Sequence, residues 1–350
     1  MLEWKKLGGI ANLVRGKVIS KDYIRDHEGL YPVYSSQTAN NGILGCIDSY
    51  MFDGDFLTWT TDGAYAGTIF RRKGKFNITN VCGLVDLTDK QVNQDFLYYW
   101  LSFVAKDYVN EGMGNPKLMS NVASTIRIPI PSMAEQTRIV GILDTFTASI
   151  ENLKQQIAQR HKQYEHYRDQ LLNLEGKEGV EMMRLGEITK VLRGKRLTKN
   201  LLDDNAEYPV YHGGIEPLGR YSQYNREANT VMVINVGASA GTVGFSDIRF
   251  WSSDGCFCIS HSDLINNKYL YYYLETKTHY LQSQVRYAGI PTLDNLVVEK
   301  VLVPIISLQN QSRIVSILDT FEDSIANLEQ QLAQRERQYE YYRNKLLTFE

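Results

Sequence analysis

The chain has 350 residues, of which 43% are hydrophobic and 22% are charged, with 38 basic side chains against 40 acidic ones. This composition is typical of a globular protein of two or three domains, and the net charge of −2 excludes a polybasic chain that holds nucleic acid by bulk charge alone. The sequence has only four cysteines, no Cys-x-x-Cys pair, no apolar leader and no apolar stretch long enough to span a membrane. It therefore predicts a cytoplasmic protein without disulfides.

The chain is a tandem repeat with an offset of 175 residues. Residues 135–175 align without a gap with residues 310–350, and 26 of these 41 positions are identical. Repetition at half the chain length predicts two copies of one structural unit. Shorter motifs recur in the same order: Leu7-Gly8 with Leu185-Gly186, Arg15-Gly16-Lys17 with Arg193-Gly194-Lys195, Tyr31-Pro32-Val33-Tyr34 with Tyr208-Pro209-Val210-Tyr211, Gly63-Ala64-Tyr65-Ala66-Gly67-Thr68 with Gly237-Ala238-Ser239-Ala240-Gly241-Thr242, Phe96-Leu97-Tyr98-Tyr99 with Tyr269-Leu270-Tyr271-Tyr272, and Gly114-Asn115-Pro116 with Gly289-Ile290-Pro291.

Each copy begins with a β-rich part, in which strand-forming runs such as 56–60 and 230–234 alternate with Gly, Asn and Asp. Residues 94–104 predict a short helix within the first of these parts. The second part of each copy contains no proline but begins just after one, which is a common arrangement at a helix start. The predicted segments are a globular domain at 1–132, a helical spacer at 133–175, a second globular domain at 176–307 and a second helical spacer at 308–350.

Both proline-free segments carry a heptad seam, because apolar or aromatic side chains recur at alternating steps of four and three. The pattern skips a single position in each copy, at Arg160 and at Arg335. About 40 helical residues would form a rod about 60 Å long. The predicted seam consists of Phe146, Ile150, Leu153, Ile157, Tyr164, Tyr167 and Leu171 in the first copy and of Phe321, Ile325, Leu328, Leu332, Tyr339, Tyr342 and Leu346 in the second.

We expect the two helices to pair with each other in antiparallel orientation, since each leads away from its own globular part. Two alternatives stay open at this level. In the first, each helix packs on its own domain; in the second, it forms a zipper with another chain.

No catalytic or metal site is predicted. The chain lacks a phosphate-binding Gly-x-x-x-x-Gly-Lys-Ser/Thr loop and an Asn-Pro-Pro-Tyr-like run of base methyltransferases. The six histidines have no metal-ligand spacing, and His161 and His166 are expected to be solvated helix residues. Cys256 and Cys258 fit one face of a strand in the core. The sequence does not support enzyme activity.

Three kinds of segment are candidates for contact with nucleic acid, and one of them is the basic run at 71–75, which occurs only in the first copy. The Arg-Gly-Lys turns place cations beside a backbone segment that can lie close to a phosphate. The polar loops that diverge between the copies carry side chains suited to base edges. Solvated basic turns, a solvated hairpin tip at 71–75 and neutral loop divergence are the competing interpretations. The candidate residues are Arg15, Lys17, Gln37, Asn40, Asn41, Arg71, Arg72, Lys73, Asn115 and Lys117 in the first copy and Arg193, Lys195, Arg196, His212, Arg220, Arg286 and Thr292 in the second.

The repeated segments resemble the specificity (S) subunits of type I restriction–modification systems. The resemblance lies in the start of the helical segments, at 128–144 and 303–314, and in four shorter motifs of the globular parts: the Leu-Gly-x-Ile…Gly-Lys opening, Tyr-Pro-Val-Tyr, Gly-Ala-x-Ala-Gly-Thr and Phe/Tyr-Leu-Tyr-Tyr. It covers essentially the whole chain. It implies an α+β fold. Two mixed α/β target recognition domains would be separated by a long antiparallel two-helix coiled coil, as a tandem pseudo-two-fold repeat.

The resemblance also implies a non-catalytic role. Each globular domain would read one half of an asymmetric bipartite target on double-stranded DNA, and the paired helices would set the gap and dock two methyltransferase (M) subunits. S-adenosylmethionine would bind to M. Two restriction (R) subunits would join the complex where restriction occurs, and ATP and Mg would bind to R. The chain itself would hold no cofactor. The alternative from a different class is a coiled-coil adaptor that carries two modules for ligands other than DNA.

Overall fold

The computed structural model describes residues 2–349, the side chain of Met113 excepted. The chain divides into two compact units: unit 1 contains Met1–Leu153 and Gln331–Glu350, and unit 2 contains Lys154–Gln330. Each unit therefore combines one β-rich part with portions of both long helices. Among the described residues, no helix has the length and apolar character needed to cross a membrane.

The β-rich part of unit 1 is built on a six-stranded sheet with the strand order β2-β7-β5-β6-β3-β4. All neighbouring strands are antiparallel except β3 and β6. A separate antiparallel pair, β1 with β8, joins the two ends of this part. The elements are β1 (Glu3–Lys6), α1 (Leu7–Ile10), β2 (Ala11–Arg15), α2 (Lys21–Asp26), β3 (Glu28–Tyr34), β4 (Ile43–Ile47), β5 (Phe52–Thr60), β6 (Ile69–Ile78), β7 (Cys82–Leu87), α3 (Gln94–Val104), α4 (Ser120–Ala123), β8 (Arg127–Ile130) and α5 (Met133–Leu172).

Unit 2 repeats this strand order in two smaller sheets. The ten-residue strand β6 of unit 1 corresponds to two short strands, β14 and β15, so that the sheet divides into β10-β16-β13-β14 and β12-β11-β15. The elements are β9 (Glu181–Arg184), α6 (Leu185–Ile188), β10 (Val191–Arg193), β11 (Tyr208–Tyr211), β12 (Gly219–Tyr221), β13 (Thr230–Ile234), β14 (Val243–Ser246), β15 (Trp251–Ser252), β16 (Cys256–Ile259), α7 (Asn267–Thr276), α8 (Thr278–Ser283), α9 (Asn295–Glu299), β17 (Leu302–Ile305) and α10 (Leu308–Leu346).

The predicted strand at 230–234 and the predicted helix at 94–104 are confirmed by β13 and α3. The side chain of Asn93 caps α3 by accepting hydrogen bonds from the backbone N–H groups of Asp95 and Phe96. Asn266 caps α7 in the same way. The apolar side of α3 lies in the core of unit 1, where Phe96 and Leu97 are fully buried.

A buried glutamine attaches the start of each long helix to its β-rich part. Gln136 is fully buried; its Oε1 accepts a hydrogen bond of 2.7 Å from the N–H of Asn93, and its Nε2 donates to two carbonyl groups. Gln311 makes the equivalent bond of 2.7 Å with the N–H of Asn266. Since a buried amide without partners is costly, these bonds define where each helix begins relative to the domain.

The long helices end earlier than predicted, at Leu172 and Leu346, but both follow their prolines as expected. Within unit 1 the ring of Phe146 stacks on that of Tyr342, with centroids 5.4 Å apart. Within unit 2 the ring of Tyr167 stacks on that of Phe321 at the same 5.4 Å. In each unit, therefore, seam residues of one long helix contact seam residues of the other.

The skipped seam positions also make contacts. The guanidinium of Arg335 lies 5.7 Å from the ring centroid of Phe146, and that of Arg160 lies 5.9 Å from the ring of Phe321. Twelve of the 14 predicted seam residues are buried or half-buried, but Tyr167 and Tyr342 remain 44% and 41% exposed. The phenol is amphipathic, so these two rings stack on a phenylalanine with one face and keep the other in solvent.

Candidate nucleic-acid interface

The Arg-Gly-Lys turns require glycine because they lie against the backbone of a neighbouring strand end. A Cβ atom on Gly16 would overlap the carbonyl oxygen of Ile78, and one on Gly194 would overlap that of Ser253. The close approach orders the turn, and the flanking cations leave it toward solvent: Lys17, Arg193, Lys195 and Arg196 are exposed. In unit 1 Arg15 is half-buried, and its Nε donates to the carbonyl of Asn80 at 3.1 Å.

The two diverging loops, 110–117 in unit 1 and 286–292 in unit 2, share one backbone frame. Asn110 and Lys117 exchange two backbone hydrogen bonds of 2.9 and 3.0 Å, and Arg286 and Thr292 exchange two bonds of the same lengths. Each loop is also held to its glycine turn, since Gly63 N–H donates to Pro116 O at 3.0 Å and Gly237 N–H donates to Pro291 O at 2.9 Å. The side chains that the frame displays differ between the units.

Unit 2 brings five predicted residues together around two adjoining cavities. A cavity of about 660 Å³ is lined by Arg193, Arg196, His212 and Thr292, together with Lys199 and Asp254. A second cavity of about 240 Å³ shares Arg193 and Thr292 and adds Arg286. Residues up to 99 positions apart in sequence are thereby brought together, and the result is a concave surface with four cations and two carboxylates, those of Asp254 and Asp294.

The ring of His212 is oriented by its contacts with residues 254 and 255. Its Nδ1 accepts a hydrogen bond of 3.1 Å from the N–H of Gly255 and lies 3.3 Å from a carboxylate oxygen of Asp254. A Cβ atom at position 255 would lie 2.6 Å from the ring, so this approach requires glycine. With Nδ1 as acceptor, the neutral ring carries its proton on Nε2, which is then a donor.

The divergent loop after β3 in unit 1 is an unusual turn. Asn40 and Asn41 adopt consecutive left-handed conformations, with φ of 48° and 51°, and both are exposed. Gln37 is half-buried and donates from Nε2 to the carbonyl of Ile43. The loop therefore presents two amide side chains to solvent and uses the third to close itself.

The basic run 71–75 is not a hairpin tip, because it lies in the middle of β6. Arg71 and Lys73 point outward and Arg72 inward, as the alternation of a strand requires. Arg71 forms ion pairs with Asp95 at 2.8 Å and Asp144 at 3.1 Å. Burial is the largest single effect and lowers the pKa of the Arg71 guanidinium, but Asp95, Tyr99 and Asp144 together raise it by more, so that the net shift is upward.

Arg72 is 3% exposed and lies among aromatic rings. Its guanidinium is 3.6 Å from the ring centroid of Tyr34 and 4.3 Å from that of Phe70. It donates at 2.9 Å to the carbonyl of Asn41, and burial lowers its pKa. The side chain is thus part of the core rather than of the surface, although it supports the Asn40–Asn41 turn.

The remaining candidates differ in how far their side chains are committed to contacts within the protein. Asn115 and Lys117 are exposed, and the Lys117 ammonium lies 3.7 Å from the Asp62 carboxylate. Arg220 donates from Nε and Nη2 to the carbonyl groups of Ala206 and Glu207, so its guanidinium holds the chain before β11.

Several residues of this region were not predicted from the sequence, namely Lys199 and Asp254 in the cavity and Asn110 in the unit 1 loop. Asp254 and Asn110 do not recur in the other copy, and Lys199, whose equivalent is Lys21, has no local feature that separates it from other loop cations. The described residues contain no group of three or more His, Cys, Asp or Glu side chains that could hold a metal ion. Cys256 and Cys258 lie buried in β16, as predicted.

The sequence profile described as "Type I restriction modification DNA specificity domain" matches residues 1–160 and again residues 177–337. The chain belongs to this family. The two matches correspond to the two copies of the repeat, so the specificity subunit contains two tandem specificity domains. The function and family predicted from the repeated motifs are confirmed, and the adaptor alternative is not supported.

Relatives of this specificity subunit occur in Mycoplasma pneumoniae. A putative type I specificity subunit is 31% identical over 98% of this chain and 97% of its own length. A second, described as the N-terminus of a putative type I specificity subunit, is 42% identical over 48% of this chain and 94% of its own length. The shorter relative corresponds to a single copy of the repeat. Proteins of this family are the non-catalytic specificity components of their systems.

Solved structures show the same fold. The S subunit of a type I restriction–modification system from M. genitalium superposes with a TM-score of 0.75 at 19% identity, covering 100% of this chain and 97% of the other. A chain from a structure concerned with complex assembly and conformational transition of the type I R-M system gives a TM-score of 0.59 at 16% identity, covering 99% and 97%. These likenesses establish the α+β architecture of the specificity subunit.

Proposed function

We propose that each unit of this specificity subunit reads one half of an asymmetric, two-part DNA target. The observation that carries this proposal is the shared backbone frame of loops 110–117 and 286–292, closed by the same pair of hydrogen bonds. A common frame places the two loops equivalently on duplex DNA, while different side chains select different bases. The target is therefore expected to have two unlike halves.

In unit 2 the proposed contact surface is the pair of cavities lined by Arg193, Arg196, His212, Arg286 and Thr292. Three guanidinium groups around one concavity match the phosphates that border a groove. Lys195 extends the cationic edge on the same turn. Arg286, whose side chain is 76% exposed, is able to reach the base edges, where a guanidinium pairs best with guanine.

In unit 1 the proposed surface is less charged and richer in amides. Lys17 provides a phosphate contact, Arg15 holds the turn through its bonds to Asn80 O, and Asn40, Asn115 and Lys117 are exposed on the two divergent loops. Asparagine side chains suit the adenine edge. Gln37 and Asn41 belong to the same loop as Asn40, whereas Lys73 faces the opposite side of β6 from Arg72, which supports that loop, and lies outside the proposed surface. Arg71, Arg72 and Arg220 lie outside the proposed surfaces, because their guanidinium groups are bonded within the protein.

We further propose that the two long helices form an antiparallel coiled coil that sets the gap between the half-sites. Support comes from two equivalent stacked pairs, Phe146 with Tyr342 and Tyr167 with Phe321, which a register with antiparallel helices brings together. The proposed boundaries of recognition domains and spacers remain those predicted from the sequence, at 132, 175 and 307.

The partners proposed for this chain are double-stranded DNA and two M subunits, which dock on the paired helices, with two R subunits where restriction occurs. Adenine methylation would use S-adenosylmethionine held by M, and translocation would use ATP and Mg held by R. The similarity to a chain from a type I R-M complex supports this assignment. The specificity subunit would contribute the target and no reacting group.

Comparison of the methylated motifs in host DNA, with and without the gene for this chain, tests the proposal. Loss of a single gapped adenine-methylation motif is the expected result. Footprinting of the chain assembled with its methyltransferase should protect both halves of that motif and leave the gap less protected. An unchanged set of methylated motifs would overturn the proposed role.

A further inference from the structure

Loop 286–292 holds two large apolar side chains in solvent. Tyr287 is 74% exposed and Ile290 is 70% exposed, more than any other large apolar side chain described in unit 2. Removal of apolar surface from water is favourable, so exposing two such side chains three positions apart is unfavourable for the free chain. Exposure of this kind is typical of a surface that meets a partner.

The loop is held firmly at its base. Besides the bonds between Arg286 and Thr292, the N–H of Gly237 donates to Pro291 O at 2.9 Å, and the N–H of the buried Leu293 donates to Asn235 O at 2.9 Å. Gly289 turns the tip with φ of +92°. The two apolar side chains are therefore displayed by an anchored loop rather than by a frayed segment.

The surroundings of this tip are cationic. The Arg286 guanidinium, at the base of the loop, has the Asp294 carboxylate 3.8 Å away, and Arg193 shares a cavity with it. An apolar tip bordered by cations complements duplex DNA, which offers phosphates outside the groove and a few apolar groups within it. On the major-groove edges of the bases, the C5-methyl group of thymine is the apolar group.

We propose that Tyr287 and Ile290 contact thymine methyl groups in the major groove, which makes loop 286–292 a base-reading element of unit 2. This inference rests on the proposed function, since it assumes that unit 2 binds DNA. The major groove is about 12 Å wide and admits such a loop. The corresponding loop of unit 1 exposes Glu111 and Asn115, which are polar, so the two loops select different base edges.

Replacement of thymine by uracil tests the contact, because uracil keeps the hydrogen-bonding groups and lacks only the methyl group. The full chain, assembled with its methyltransferase, is titrated with duplexes that carry the methylated motif and a single uracil at successive positions. Loss of one methyl contact should weaken binding about three- to fivefold at one or two positions of the half-site assigned to unit 2. Ile290→Ala and Tyr287→Ala should each weaken binding to the thymine duplex and abolish part of this sensitivity.

Leu264→Ala is the matched control, since Leu264 is 52% exposed in unit 2 and lines neither cavity. It should leave both affinity and uracil sensitivity unchanged. Wild-type binding that is insensitive to uracil throughout the motif overturns the inference, even if the motif is bound and methylated. An equal loss of affinity for thymine and uracil duplexes in Ile290→Ala overturns it as well and points to a minor-groove wedge. Failure to bind the motif at all contradicts the proposed function itself.

Discussion

The phenol of Tyr99 donates a hydrogen bond of 2.6 Å to the carboxylate of Asp144. Tyr272 donates to Asp319 at the same distance in the other unit. Each bond joins the short helix of a β-rich part to the long helix that follows it, and both tyrosine rings are buried. The repeat has therefore kept one polar connection between domain and spacer, at a point where the relative position of the two elements matters.

Removal of this phenol should destabilise its unit. Hydrogen bonds to charged groups contribute about 1.5–3 kcal/mol, and the partly exposed Asp144 recovers some hydration, so we expect Tyr99→Phe to lower the free energy of unfolding by about 1–2 kcal/mol. Denaturant titration measures the change. Tyr65→Phe, in an exposed turn, is the control and should have almost no effect. Equal stability of the two variants would contradict a structural role for the bond.

The same pairs predict a loss of stability at alkaline pH. Burial, and then the hydrogen bond to the neighbouring carboxylate, raise the pKa of Tyr99 and that of Tyr272 well above the usual value near 10. A raised pKa in the folded state leaves stability complete below pH 10. Above it, stability falls because the unfolded chain releases the phenol proton while the folded chain retains it.

Free energies of unfolding measured between pH 8 and pH 11 should therefore be level at first and then decrease by about 1.4 kcal/mol per pH unit for each such tyrosine. The double variant Tyr99→Phe with Tyr272→Phe should show a shallower decrease than the parent. A slope unchanged by the double substitution would show that other groups dominate the alkaline transition.

A second connection to the long helix is an ion-pair network whose cation lies on a different element in each unit. In unit 1, Arg71 on β6 pairs with Asp95 on α3 and with Asp144. At the equivalent positions unit 2 has Phe245 on β14 and a lysine on α7, and that lysine, Lys268, pairs with Asp319 and with Glu322 instead.

The exchange predicts that a second substitution in unit 1 compensates for the loss of stability caused by the first. Asp95→Lys alone places a cation beside Arg71 and should destabilise unit 1. Adding Arg71→Phe reproduces the unit 2 arrangement, so that the new lysine faces Asp144, and should recover about 0.5–1 kcal/mol, as expected for a partly exposed ion pair. A double-mutant cycle in denaturant measures the coupling. Additive effects of the two substitutions would refute the equivalence of the two ion-pair networks.

Arg72 is expected to act on target reading through the turn that it supports. Arg72→Met retains much of the side-chain volume but removes the bond to Asn41, and the left-handed turn at Asn40 and Asn41 then loses its contact with the core. Because the half-site proposed for unit 1 depends on this turn, the base preference in that half should become weaker. Sequencing of methylated host DNA should then show additional bases accepted at positions of that half alone.

Lys73→Met is the matched control, since Lys73 is the exposed neighbour on the same strand. It should preserve the methylated motif. If Arg72→Met also leaves every motif position unchanged, the turn does not take part in reading. If both halves of the motif relax together, the variant has disturbed more than the unit 1 surface.

The proposed coiled-coil spacer predicts a change in gap length. Removal of one heptad from the middle of each long helix shortens the rod by about 10 Å, which corresponds to about three base pairs. Sequencing of the methylated motif should then show both half-sites intact and a shorter gap. Deleting a heptad from one helix only is the control and should abolish methylation, because the seams lose their register. An unchanged gap would contradict the role of the helices as a ruler.

The local elements and the family were predictable from the sequence because they depend on periodicity and repetition. Apolar spacing located the long helices that begin at Met133 and Leu308, and strand patterning located β13. Hydrophobic periodicity is a property of a few consecutive turns or residues, so it survives without knowledge of the fold. The second copy of each motif then separated recurring features from accidental ones.

The tertiary structure decided which cations face solvent. Arg72 and Arg193 were equivalent candidates in the sequence, but one stacks on Tyr34 in the core and the other lines an open cavity. Likewise, only the folded chain brings Arg286 beside Arg193 and exposes Tyr287. The environment of such a side chain is set by residues tens of positions away in sequence, and the direction in which a strand or loop turns it has no local signature.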